Sequence, residues 1–203
     1  MTLETLDLPK VAQPKIGLTK QLLVCAVMSI LALVAVYMRH SSIEKIFTAG
    51  QPPTIQVAFG LAMGSAAAVM AWIAYKLQKS NGTSRSVVTS YSRLDLRGWN
   101  PILLSLAAGF GEELLFRAAL QPMLGIVLTS LIFVAAHVRA YQMKALTRTT
   151  LTQAISLFAT SIFLGVVFQY IGLIAAILVH VLVDIAGLYT VRYAASRASV
   201  NAG

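Results

Sequence analysis

Between Thr149 and Val183 the chain runs for 35 residues with His180 as its one acidic or basic side chain. Drawn out as one α-helix this stretch would be about 50 Å long, against about 30 Å of bilayer hydrocarbon. It must therefore fold back on itself, and Gln169–Gly172 (QYIG) supplies the turn. Trp99–Val138 is likewise too long for one span, and Pro122 and Gly125 mark its reversal. Two shorter runs precede these: Gln21–Met38, 18 residues without a charge, and Thr54–Tyr75, 22 residues. Only 11% of the 203 residues are charged and mean hydropathy is +0.77, whereas soluble domains carry about a quarter charged residues. The fold class implied is all-α, a polytopic membrane helix bundle of about six spans. They are expected near 21–38, 54–76, 99–122, 126–140, 150–169 and 172–191, the fourth too short to cross as a straight rod.

The organisation expected is a cytoplasmic tail over 1–20, two accessory spans with a basic loop over 21–98, a helical core over 99–191 and a second tail over 192–203. Lys15 and Lys20 ahead of the first run resemble the start of a signal peptide. The run is longer than a signal core and no small-x-small site follows it, so it reads as a retained span. In the second span Gly60 and Gly64 have GxxxG spacing, which allows close helix approach and carries no chemistry. The single Cys25 excludes an internal disulfide framework.

With the N-terminus inside, 13 of the 16 basic residues fall in inner segments: Lys10, Lys15, Lys20, Lys76, Lys79, Arg85, Arg93, Arg97, Arg139, Lys144, Arg148, Arg192 and Arg197. Arg39 and Lys45 fall outside and Arg117 in a span. That asymmetry places both termini in the cytoplasm. It also accounts for the net charge of +9 without a nucleic-acid partner, since no interleaved basic–aromatic stripe is present.

Of seven acids, Glu4, Asp7, Glu44 and Asp95 lie in tails or loops, while Glu112, Glu113 and Asp184 lie within spans, with His137 and His180. A charge at the bilayer centre costs about 2.5–3.5 kcal/mol even on the lenient insertion scale. Three acids and Arg117 would together cost on the order of 10 kcal/mol unless they pair or neutralise.

With Gly125 and Gly172 as hairpin apices on one face of the membrane, Glu113 and His137 are each twelve residues from Gly125, and Asp184 is twelve from Gly172. All three then sit about 18 Å below that face, with Arg117 and His180 roughly one turn shallower. Glu113 and Arg117, at i,i+4, can form an ion pair. Glu112 points about 100° away and is free for another task. His180 and Asp184 share a face, and Phe133 can pack one turn from His137. A free carboxylate near two imidazoles fits general-base activation of water, with or without a metal. Each feature alone has a plainer reading: a structural ion pair, or a histidine bonding between helices. Trp99, Tyr170 and Tyr189 read as interfacial belt residues, and His40 as a loop residue without a role.

EELLFR, FVAAH and HVLVD fit the patterns E-E-x-x-x-R, F-x-x-x-H and H-x-x-x-N/D, in that order. In this the chain resembles the CPBP family of intramembrane proteases, also called Abi or CAAX-protease-like, over roughly Trp99–Val191. The resemblance implies an endopeptidase in which Glu112 is the water-activating base, aided by His137. It makes Glu113 and Arg117 an ordering ion pair, and His180 and Asp184 either oxyanion stabilisers or metal ligands. A divalent metal on His137, His180 and Asp184, zinc among the candidates, and a metal-free site are both compatible with it. No H-E-x-x-H signature is present. Many members carry Asn at the position of Asp184; an ionised Asp there cannot donate to an oxyanion. The implied partners are a peptide or protein substrate and the lipid bilayer, and the implied location is a bacterial inner membrane. A non-catalytic immunity or partner-binding protein, and less so a small ion-coupled transporter, would bury the same polar residues.

Overall fold

A computed structural model describes residues 16–39, 42–77, 88–141, 143, 145 and 147–200, with 197–200 as backbone alone. The elements are α1 (Leu18–Met38), α2 (Ile43–Thr48), α3 (Pro53–Leu77), α4 (Asn100–Glu113), a π-helical segment (Leu114–Leu120), α5 (Gln121–His137), α6 (Arg148–Tyr170) and α7 (Leu173–Val200). Among the described residues there is no strand, only an isolated bridge between Ile16 and Leu94. Five helical stretches are long and apolar enough to cross a membrane, with Asn100–His137 taken as one of 38 residues.

That stretch is not a rod. Gly125 stands at φ 73°, ψ 171°, a conformation closed to most L-residues, and breaks the ladder there. The rings of Phe116 and Phe133, about 25 Å apart on a straight helix, have centroids 4.9 Å apart. The chain doubles back, as the sequence reading of Pro122 and Gly125 requires. The second reversal is at Ile171–Gly172, with Gly172 at φ 135°.

The bundle is inside-out relative to a soluble protein. Gln56, Ser105, Glu113, Arg117, Thr129, Ser130 and Ser161 are completely buried, whereas Leu23, Ile30, Met70, Val127 and Ile155 lie more than half exposed. A surface of that kind is stable against lipid, whose tails impose no penalty on apolar side chains. The protein is an integral membrane protein.

α3 packs along α7 through the GxxxG pair. A Cβ on Gly60 would lie 2.8 Å from Leu178 Cβ and 3.1 Å from Ala175 Cα, so glycine sets the approach of the two helices. Gln56 fastens the same pair at one end. Its Nε2 donates to the Ala49 and Gln51 carbonyls (3.0 and 2.8 Å), and its Oε1 accepts from Ile174 N–H at 3.0 Å. Gln51 N–H in turn donates to the Ile171 carbonyl at 2.8 Å. The connection from α1 to α3 therefore sits against the Gly172 apex. At the opposite end Ile16 N–H bonds the Arg93 carbonyl and Arg192 bonds the Gly98 carbonyl. Lys20, Lys76, Arg93, Arg97, Arg139, Arg148 and Arg192 belong to that end by their places on the elements.

Several boundaries differ from expectation. α7 continues to Val200 beyond the expected end at 191, so residues 192–200 are helix rather than tail. The third span, expected as one helix over 99–122, changes to π geometry after Glu113. The loop Lys76–Gly98 is not wholly a solvated basic segment: Val88 and Leu96 are buried with Leu104, Leu188 and Val191. Lys10, Lys15, His40, Lys79, Arg85 and Lys144, most of the 1–20 tail and residues 201–203 lie outside the described residues.

Candidate active site

Glu112 and Glu113 close α4 immediately before the π segment. A π turn accommodates one residue more than an α turn and recurs at functional sites. Adjacent residues of a helix point about 100° apart, so the two carboxylates enter different environments.

Glu113 is fully buried and bonded at both oxygens. Oε2 accepts from Arg117 Nε at 3.0 Å, and Oε1 accepts from His180 Nδ1 at 2.8 Å. Arg117, also fully buried, donates from Nη2 to Ser161 Oγ at 3.0 Å and lies 5.7 Å from the Phe133 ring centroid. The expected i,i+4 ion pair is present, and it also holds a histidine from α7. Ser161 was not identified from sequence; a lone serine in an apolar run gives no signal of its partner.

His137 ends α5. Its Nδ1 contacts the Phe133 carbonyl oxygen at 2.8 Å, and since a carbonyl can only accept, Nδ1 carries the proton. The ring stacks on Phe133 with centroids 4.2 Å apart. Nε2 is thereby left facing Glu112, 3.5 Å from Oε2. His180 repeats the arrangement: with Nδ1 committed to Glu113, its Nε2 points to Glu112 Oε2 at 3.9 Å and Asp184 Oδ2 at 3.6 Å.

The structure thus brings Glu112, Glu113, Arg117, His137, His180 and Asp184 together. Glu112 Oε2 has no hydrogen-bond partner of its own. The two Nε2 atoms lie 3.5 and 3.9 Å from this oxygen, spacings at which a water can bridge. No group of three or more His, Cys, Asp or Glu side chains among the described residues is arranged to hold a metal ion. His137, His180 and Asp184 are the residues that would approach one.

Glu112, His137, His180 and Asp184 line a cavity of about 860 Å³ whose remaining wall is mostly apolar. Lys20, Gln21, Tyr91 and Tyr141 line it as well. α1 contributes Val24, Cys25 and Met28, so the first span is part of the site wall. Tyr91 and Tyr141 stand edge to face, 5.2 Å between centroids. Burial pushes the Tyr141 phenol up to about 12 and the Tyr91 phenol well above its ordinary value, so both remain hydrogen-bond donors. Neither was singled out from the sequence, since both lie outside the three motifs.

Residues 96–186 match the family described as Rce1-like, type II CAAX prenyl endopeptidase. This agrees with the CPBP resemblance carried by the three motifs. The chain is 31% identical over 127 residues to the uncharacterized protein YpbD of Bacillus subtilis (strain 168), covering 62% of this chain and 61% of that protein. The chain thus spans less than two thirds of that relative's length. No solved structure matches it.

Proposed function

We propose, from the match of residues 96–186 to the type II CAAX prenyl endopeptidase-like family, that this chain is an intramembrane endopeptidase using Glu112 and His137 to activate water. The observation that carries the reading is the convergence of Glu112 Oε2 with His137 Nε2 at 3.5 Å and His180 Nε2 at 3.9 Å at one wall of a largely apolar cavity. Glu112 takes a proton from a water held between it and His137 as the water oxygen attacks the peptide carbonyl carbon. The carbonyl π pair moves to oxygen, giving a tetrahedral oxyanion. Collapse of that oxyanion breaks the C–N bond, and the proton held by Glu112 passes to the leaving amine. His180 donates to the oxyanion from Nε2 when it is the imidazolium, with Asp184 as its counter-charge 3.6 Å away. Glu113 and Arg117 position His180 and take no proton. A divalent cation, if bound by His137, His180 and Asp184, would polarise the carbonyl in place of the imidazolium.

We place both termini in the cytoplasm and the protein in a bacterial inner membrane. Support comes from the gathering of the described basic residues at one end of the bundle, and from the Bacillus relative. The substrate class is a peptide, prenylated or plain.

The test is cleavage of fluorogenic peptides, with and without a prenyl group, by the purified full chain in detergent. Wild type, Glu112→Gln and His137→Ala run in parallel, each with and without a chelator. Turnover abolished in both variants supports the reading. Turnover that survives chelation assigns water activation to the two side chains, and turnover lost on chelation assigns a cation to the site. No cleavage by wild type, or equal cleavage by the variants, leaves the non-catalytic partner-binding protein as the reading.

A further inference from the structure

Arg39 lies at the end of α1, outside the family-matched segment, yet its guanidinium reaches the catalytic helix. Nη1 donates to the Ala119 carbonyl at 2.9 Å and to the Ala118 carbonyl at 3.2 Å. The need for this contact is written in the sequence. Pro122 has no N–H, so the α-type bond to the Ala118 carbonyl cannot form. The last bond of the π ladder runs from Gln121 N–H to the Phe116 carbonyl, and the next donor along would be Pro122. The carbonyls after that point face a helix that reverses at Gly125. Unmet carbonyls near the membrane are costly, and a cation at such a carbonyl cluster is favourable.

We propose that Arg39 is a positioning residue for the reaction, holding the π-helical segment in the register that sets Glu112 opposite His137. This rests on the endopeptidase reading above. A π turn holds one extra residue, and relaxing it to α geometry would rotate α4 by about 100° relative to α5. Glu112, which precedes the π segment, would then turn away from His137, which follows it. Arg39 thus acts through the backbone at Ala118 and Ala119, one and two residues after Arg117. The first span supplies the site with a fixed register as well as a wall.

The experiment compares the full chain with Arg39→Gln, Arg39→Lys and Arg39→Gln/Pro122→Ala in the peptide-cleavage assay, with Glu112→Gln as the inactive control. Arg39→Gln is expected to lower kcat about tenfold with KM unchanged, since small misplacements of reacting groups cost rate more than binding. Arg39→Lys, which keeps one charged donor, is expected about threefold below wild type. Pro122→Ala offers the Ala118 carbonyl an α-type donor, favours the α register and is expected to deepen the Arg39→Gln loss. A kcat for Arg39→Gln within about twofold of wild type, a loss confined to KM, or Arg39→Lys no better than Arg39→Gln overturns the proposal. If Arg39→Gln does not fold, Arg39→Lys decides alone, and a wild-type kcat in it overturns the proposal. An inactive wild type, or an active Glu112→Gln, is failure of the endopeptidase reading itself and is distinguishable from each of these.

Discussion

Arg117 Nε lies 3.0 Å from Glu113 Oε2 with both side chains completely buried, and the other oxygen of the same carboxylate holds His180 Nδ1 at 2.8 Å. An ion pair in this setting contributes less than its Coulomb energy, because both ions have lost their water. Removing one partner is another matter, since the survivor is stranded without solvent. Arg117→Met is expected to destabilise the protein by about 3–5 kcal/mol. Glu113→Gln, which keeps an oxygen toward Arg117, should cost less but free the His180 ring. Thermal unfolding in detergent, read beside cleavage rate, checks the ordering: Arg117→Met lower in Tm, Glu113→Gln lower in rate. Equal Tm values for the two would count against a stranded charge.

Glu112 presents the opposite case. Its Oε2 has no hydrogen-bond partner in the protein, so little stability depends on it. Glu112→Gln is expected to leave Tm within a degree or so while lowering kcat by about 10²–10⁴, the range of a lost general base. Asp184, 3.6 Å from His180 Nε2, is expected to tolerate Asn within about threefold, because the Glu113 carboxylate on Nδ1 already orients the His180 ring. A large Tm change in Glu112→Gln would assign it a structural role instead.

Which of these relationships could be read in the sequence depended on whether they were local. The hairpins followed from helix length against bilayer thickness. The Glu113–Arg117 pair followed from i,i+4 spacing, and equal distances from Gly125 and Gly172 set Glu113, His137 and Asp184 at one depth, with Arg117 and His180 a turn shallower. Pairing across helices was only partly legible. Depth alone set Glu113 level with His137, whereas in the structure His137 faces Glu112 and His180 bonds Glu113. A π turn has no compositional signature comparable to a cap or a proline kink. Ser161, Arg39 and the Tyr91–Tyr141 pair reach the site from other elements through tertiary packing. No periodicity in one sequence records that. The extension of α7 to Val200 was missed because its last turns carry Arg192 and Arg197, which ended the apolar run but not the helix.

The two glycines of the GxxxG pair are not equivalent. A Cβ on Gly60 would meet Leu178 Cβ at 2.8 Å and backbone at 3.1 Å, atoms that cannot swing aside. On Gly64 the nearest atom at 2.8 Å is Leu182 Cδ1, the mobile end of a side chain, with the Leu178 carbonyl oxygen and Leu182 Cβ next at 3.1 Å. Gly60→Ala is expected to cost about 1–3 kcal/mol, the range for overpacking, and Gly64→Ala less, because only its shortest contact can swing aside. Thermal unfolding of the two single variants tests the difference, and an equal loss in both would refute the rigid contact at Gly60.

The tyrosine pair gives a pH dependence whose sign can be worked out. Tyr141 has its phenol pushed by burial from about 10 up to about 12, and Tyr91 stands well above its ordinary value for the same reason. An unfolded chain releases these protons from about pH 10, whereas the folded protein retains them, so the folded state binds more protons above that point. Stability from the pair is therefore present in full below about pH 10 and is lost as pH rises toward about 12. The Tyr141 part amounts to about 2–3 kcal/mol, from two pH units at 1.36 kcal/mol each. Tyr141→Phe cannot ionise, so its unfolding midpoint should fall less steeply across that window than the wild type's. Phenolate absorbance in the folded protein should likewise lack a component titrating at pH 10 from this residue. Parallel alkaline profiles for wild type and Tyr141→Phe would mean that the phenol is hydrated. The cavity wall at Tyr91 and Tyr141 would then be open to water from the end of the bundle that carries the basic residues.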